Sequence, residues 1–231
     1  MRTLGLIGGT SWHSTIHYYQ NINQSINEHF GNNSNPPLIL FNLNHAVIHQ
    51  HQKENHWDKI AELVIDAGER LQKAGAEALL LCANTTHKVY ESVSKTMAIP
   101  ILHIADATAN AIQQQGLRKV CFIGTKFTMM EDFVTNRISK HDIEVITPVG
   151  SEKLEELHRI IHQELVLGNI ISSSKDFVLN CIQEMVDQGA EGVILGCTEF
   201  PILIQATDLN IPIFDTVKVH TKAAFDFILD Q

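Results

Sequence analysis

Cys197 stands between Gly196 and Thr198 in the segment GVILGCTEF, at the end of a short apolar run and ahead of hydroxyl and carboxyl side chains. A thiol in that setting can hold or release a proton. A helix N-terminus beginning there is expected to lower its pKa from the usual value of about 8.5. A buried core cysteine is the alternative reading. The same segment occurs twice in the chain: GAEALLLCANTTHK from Gly75 returns as GAEGVILGCTEFPI from Gly189, an offset of 114 residues (189 − 75). In that register Ala83 is the counterpart of Cys197, and Cys82 falls one place early. Side chains alternate along a strand, so one step turns the Cys82 thiol to the other side of its sheet, and Cys82 is read as core.

Other residues near the two copies have binding chemistry. Asn84, Thr85 and Thr86 follow an apolar run and open a helical segment, where unpaired amides favour a carboxylate or phosphate; Thr198 and Glu199 hold the same place in the second copy. Plain N-capping is the alternative at either place. Gly8 and Gly9 form a glycine turn without the full GxGxxG of a dinucleotide site, and let backbone approach a small ligand. Lys126, in the copy position of Thr10, is either a cation for an acidic ligand or a solvated surface lysine. His45, His49, His51 and His56 cluster, and His45 and His49 are spaced to share a helix face. With no HExxH or paired cysteine nearby, no metal is expected, and the segment reads as a polar loop near a cleft mouth. Cys121 and Cys181 read as core.

The elements that must position these residues follow from periodicity. Short apolar runs at 3–7, 37–41, 78–81, 99–103, 119–123, 143–146, 193–195 and 212–214 alternate with segments of helical spacing at 14–29, 57–74, 86–95, 105–115, 129–141, 151–167, 173–188 and 217–229. That alternation predicts an α/β fold with parallel four-stranded sheets. Two domains are expected, 1–97 and 98–208, with 209–231 returning to the first. Ligands bind at the carboxyl ends of such strands, so GGTSW, CANTT, IGTKFT and GCTEF should converge on one crevice. The chain has 231 residues and a net charge of −9, which argues against a nucleic-acid or anionic-membrane surface. No run approaches the roughly 20 apolar residues of a membrane span. Four cysteines without an export signal read as reduced thiols of a cytoplasmic protein.

Together, GLIGGTSWHST with the YY and IN that follow, AGAEALLLCANTTHKV, LHIADAT, QELVLG and QGAEGVILGCTE carry a resemblance to the cofactor-independent aspartate/glutamate racemases over essentially the whole chain. The resemblance implies two similar α/β domains related by a pseudo-twofold axis, an active site between them, no pyridoxal phosphate or other cofactor, a small amino-acid substrate and a homodimer. In that family two cysteines flank the substrate α-carbon, one taking the proton and the other returning one to the opposite face. The first directly precedes Asn-Thr, a place held here by Ala83. Cys197 would then act alone, with water beside Ala83 or the Thr85 hydroxyl as the opposing acid, giving slow or kinetically lopsided racemisation.

Amides of Asn84, Thr85 and Thr198 are the natural donors to the α-carboxylate, where charge develops. Glu199 or Glu164 of QELVLG would take the ammonium, Gln52 would bind a side-chain carboxyl, and Thr10 and Ser11, with Thr86, would complete the pocket by resemblance. Two other readings compete: a single-cysteine decarboxylase of the wider superfamily, and a catalytically silent binding protein for a small acid.

Overall fold

The computed structural model describes residues 1–230. Among them the first four strands and their helices are β1 (Leu4–Gly8), α1 (Trp12–Phe30), β2 (Leu38–Asn42), α2 (His45–Lys53), α3 (Trp57–Lys73), β3 (Ala78–Leu81), α4 (Tyr90–Ser94) and β4 (Ile101–Leu102). Then follow α5 (Ile104–Gln114), β5 (Lys119–Ile123), α6 (Lys126–Met130), α7 (Thr135–Ser139), β6 (Glu144–Ile146), α8 (Ser151–Gln163), α9 (Ser172–Asp187), β7 (Val193–Leu195), α10 (Phe200–Leu203), β8 (Ile213–Asp215) and α11 (Thr216–Leu229). All strand pairings are parallel, in the orders β2-β1-β3-β4 and β6-β5-β7-β8. The second order is the first moved on by four strands, so the duplication in sequence is also a duplication in topology.

The chain forms two compact units, Met1–Ile104 with residues 220–230, and Ala105–Val219. In the first, α3 buries Ile60, Val64, Ala67 and Leu71, three or four residues apart, against the sheet residues Leu79 and Leu81. In the second, Phe122, Ile123, Val193, Ile194 and Leu195 pack with Ile160, Ile182 and Phe200. Burying each such side chain contributes about 1.5–3 kcal/mol. No helix among the described residues is long and apolar enough to cross a membrane.

Three sequence expectations need correction. The expected cuts at 97/98 and 208/209 would separate β4 from β3 and β8 from β7, strands that pair directly. IPILH and IPIFD are copies of each other, so either assignment leaves four strands per sheet, and only the hydrogen bonding decides between them. The histidine-rich stretch is a helix rather than a loop: Asn44 Oδ1 accepts from Ala46 N at 3.0 Å to cap α2, and Ile48, 1% exposed, anchors it. One buried residue in nine leaves almost no apolar period to read. The helix expected over 129–141 is two short ones, α6 and α7, because Glu131 is extended (φ −103°, ψ 129°).

Candidate active site

In each sheet the connections leave two central neighbours in opposite directions, β1 and β3 in the first and β5 and β7 in the second. Ligands of open parallel sheets sit beyond the carboxyl ends at such points. The segments after these strands are GTS and CANTT in the first unit and GTK and GCTE in the second. One pair of hydrogen bonds sets the register between copies. Cys82 N donates to Ile7 O at 3.0 Å, and Gly196 N donates to Ile123 O at 2.7 Å. Cys82 is therefore the structural counterpart of Gly196, and Ala83 that of Cys197.

The Gly196 position has no room for a side chain: a Cβ there would lie 2.1 Å from the Phe122 ring. In the first sheet Cys82 is 2% exposed, and its Sγ lies 3.9 Å from the Leu80 carbonyl of its own strand. Burial pushes its thiol pKa far up. Burial likewise lifts Cys121 to about 12 and raises Cys181. Ala83, one residue on from Cys82, is partly exposed.

Around Ala83 the backbone is pinned from several directions. The Thr86 hydroxyl and His87 Nδ1 both donate to the Ala83 carbonyl at 2.9 Å, and His87 Nε2 accepts from Ile104 N at 3.2 Å, which fixes the neutral Nδ1–H tautomer. Ser14 Oγ donates to the Cys82 carbonyl at 2.8 Å. After β1, Gly9 has φ 87°, and a Cβ there would meet the Leu43 carbonyl at 2.1 Å, so only glycine fits this turn. Gly9 N donates to Thr15 Oγ1 at 3.0 Å, and Ser11 Oγ caps α1 through Ser14 N at 3.3 Å. His45 Nδ1 donates to the Thr10 carbonyl. Thr10 Oγ1 is buried with no partner among the described residues. Thr85–Val89 is a 3-10 segment, and Asn84 makes no side-chain capping bond to it, contrary to the capping alternative. Gln52 lies on α2 and bonds His49.

In the second unit Cys197 is 8% exposed and donates its S–H to Glu199 Oε2 at 2.9 Å. The Thr198 and Glu199 amides donate to the sulfur and favour thiolate, yet burial first and the Glu199 charge second raise the pKa well above the ordinary thiol value. This reverses the sequence expectation of a lowered pKa. The helix that follows, α10, has four residues, too few to supply a strong dipole against those two effects. Glu199, expected to receive an ammonium, thus already accepts a hydrogen bond from the thiol. Two other expected substrate residues also hold protein partners. Lys126 pairs with Glu155. Glu164, 5% exposed, pairs with Arg159 Nη2 at 2.7 Å, while its Oε2 is buried with no partner among the described residues.

Sequence reasoning missed Ser14, Thr15 and His87, and weighed His45 only as a metal ligand; all four hold the strand-end backbone without being placed to react. The hydroxyls of Ser11, Ser14 and Thr15 do sit at helical spacing, a signal that could have marked them as one capping group.

Residues 7–224 match the family model described as Asp/Glu/Hydantoin racemase, and the chain belongs to that family. A Yersinia pestis structure, provisionally named an Asp/Glu racemase, is 43% identical with a TM-score of 0.95, covering 99% of this chain and 100% of that one. An aspartate racemase homologue from Pyrococcus horikoshii OT3 is 35% identical with a TM-score of 0.89, again covering 99% and 100%. The broad specificity amino-acid racemase RacX of Bacillus subtilis is 23% identical over 174 residues, 72% of this chain and 71% of its own length. Against a glutamate racemase of Leptospira borgpetersenii, 26% identical over 161 residues, the match spans 59% of that relative.

Proposed function

We propose that the chain is a cofactor-independent racemase of a small amino acid, aspartate or glutamate foremost, in which Cys197 is the one thiol that exchanges the α-proton. Family membership supports the reaction class, and the Cys197–Glu199 hydrogen bond carries the assignment of the base. Glu199 takes the thiol proton, and the thiolate takes the α-proton, re-forming S–H. The electron pair left on the α-carbon spreads into the substrate carboxylate, which the amides of Asn84, Thr85 and Thr198 bind. On the other face, water beside Ala83 or the Thr85 hydroxyl gives a proton to carbon. The hydroxide or alkoxide left behind is neutralised by the proton that Glu199 releases through solvent.

The partnerless Thr10 hydroxyl and the second oxygen of Glu164 fit polar groups of a substrate, Glu164 still serving the ammonium from within its Arg159 pair. Ser11, Thr86 and Gln52 complete the pocket, and Gln52 is the side-chain selector. Lys126, already paired with Glu155, is left as a weaker candidate for an acidic side chain. We also propose a cytoplasmic homodimer; the exposed Trp12, Ile16 and Tyr19 of α1 are its first interface candidates, read by sedimentation of the wild type and of Tyr19→Ser.

Single enantiomers of aspartate and glutamate in deuterated water, with α-hydrogen exchange and chirality followed separately, test the mechanism. Exchange that outruns inversion is the expected result for one enantiomer of the preferred substrate. Ala83→Cys should then speed inversion more than exchange. Binding without any exchange would instead favour the silent binding protein, and carbon dioxide release from a malonate would favour the decarboxylase.

A further inference from the structure

We infer that the turn joining α2 to α3 is a divalent transition-metal site, with zinc the first candidate, formed by His51, Glu54 and His56. One ligand atom from each residue lies within 4.8 Å of the other two. His56 Nδ1 and Glu54 Oε2 are already 3.1 Å apart. Tetrahedral zinc with ligands at about 2.0–2.1 Å needs neighbouring donors roughly 3.3 Å apart, so small side-chain rotations close the set. Two imidazoles and a carboxylate suit zinc, and also nickel or copper.

The backbone prepares this arrangement. Helix α2 ends with His56 N donating to His51 O at 2.8 Å and Asn55 N donating to Gln52 O at 3.2 Å. That pair of bonds is a Schellman ending, completed by Asn55 in the left-handed region at φ 58°. It clamps residue 51 directly to residue 56, with Glu54 between them. Further bonds orient the set: Gln50 Nε2 donates to Glu54 Oε1 at 3.1 Å, leaving Oε2 turned to His56. Trp57 Nε1 donates to Asn55 Oδ1 at 2.8 Å and steadies the turn. An unbound imidazole nitrogen completes the case, because His51 Nδ1 is buried with no hydrogen-bond partner among the described residues. Leaving a polar atom so is unfavourable, and a ligand would relieve it. The sequence expectation of no metal covered this whole histidine cluster, and the pair it singled out by helical spacing was His45 and His49. Their rings stack at 5.6 Å, and His45 is committed to the Thr10 carbonyl.

The bound ion would staple α2 to α3, and α2 carries Gln52 and the His45 bond to Thr10. The staple needs no racemisation to be detected, so its failure is separate from failure of the proposed activity. The test titrates zinc into the metal-free full-length chain by calorimetry, and nickel into Trp12→Phe, where Trp57 beside His56 is the one remaining tryptophan.

Saturable one-to-one zinc binding, a rise in melting temperature with zinc and quenching of Trp57 by nickel are expected. His51→Ala, Glu54→Gln and His56→Ala should each weaken zinc binding tenfold or more, with circular dichroism confirming that they fold, while His45→Ala/His49→Ala keeps it within twofold. No saturable heat at millimolar zinc would overturn the proposal. So would equal binding by a His51→Ala/Glu54→Gln/His56→Ala chain, or binding lost only with His45 and His49.

Discussion

At the scale of residues, the proposed chemistry calls on Cys197, a thiol whose surroundings favour the protonated form. Burial and the Glu199 carboxylate both oppose ionisation of Cys197, so its thiolate is scarce at pH 7 and grows about tenfold per pH unit until the raised pKa is passed. Alkylation of Cys197 by iodoacetamide and α-hydrogen exchange should therefore both climb from pH 7 into the alkaline range; a plateau already at pH 7 would contradict this. Glu199→Gln removes the negative charge beside the sulfur, so the alkylation profile should move to lower pH. Exchange at pH 7 should nonetheless fall, by roughly 10²-fold, if Glu199 is the group that accepts the thiol proton. If Glu199 acts on the sulfur only through its charge, the alkylation profile should shift while exchange at pH 7 does not fall. Cys197→Ser should lower exchange by about 10²–10⁴-fold, the range for loss of a positioned acid–base group.

Among elements, the ends of β3 and β7 show how one repeat unit gives two different sites. In β7 the residue before the site is Gly196, because the Phe122 ring fills the space its side chain would need. In β3 the equivalent residue is Cys82, and Leu6 stands at the repeat position of Phe122. Gly196→Ala should destabilise the protein by about 1–3 kcal/mol through overpacking. Adding Phe122→Leu should recover part of that loss, so the two changes couple rather than add. Thermal or urea unfolding of the four members of the cycle measures this, and strict additivity would mean that the ring is not the obstacle. The Cys82 place was legible from side-chain alternation alone. Helix α2 was not, because it is held by one cap and one buried isoleucine, which leave no apolar rhythm in the sequence.

For the whole molecule, the two units have separate cores, and α11 adds residues 220–230 to the first. His220 ties that segment in: its Nε2–H donates to the Leu102 carbonyl and its Nδ1 accepts from the Tyr18 hydroxyl, both at 2.9 Å. Replacing His220 with alanine leaves two buried polar groups without this partner, a cost of about 1–3 kcal/mol. Hydrogen exchange should show amides of β1, β3 and β4 losing protection while those of β5 and β7 keep theirs. An equal loss in both sheets would show that the units do not open independently.

Duplication, strand number, parallel pairing and the placing of Ala83 opposite Cys197 in the repeat register are properties of residue type and spacing, and the sequence by itself determined them. Repeat offsets and apolar periods are local, and every copy of the unit obeys the same packing rules. The tertiary structure alone decided which sheet takes β4 and which takes β8, since two near-identical strands compete for equivalent edges. It also decided the charge state of Cys197. A flanking glycine and hydroxyl suggest an activated thiol, but burial and the carboxylate folded back onto the sulfur set its proton affinity, and both depend on what the rest of the chain brings around it.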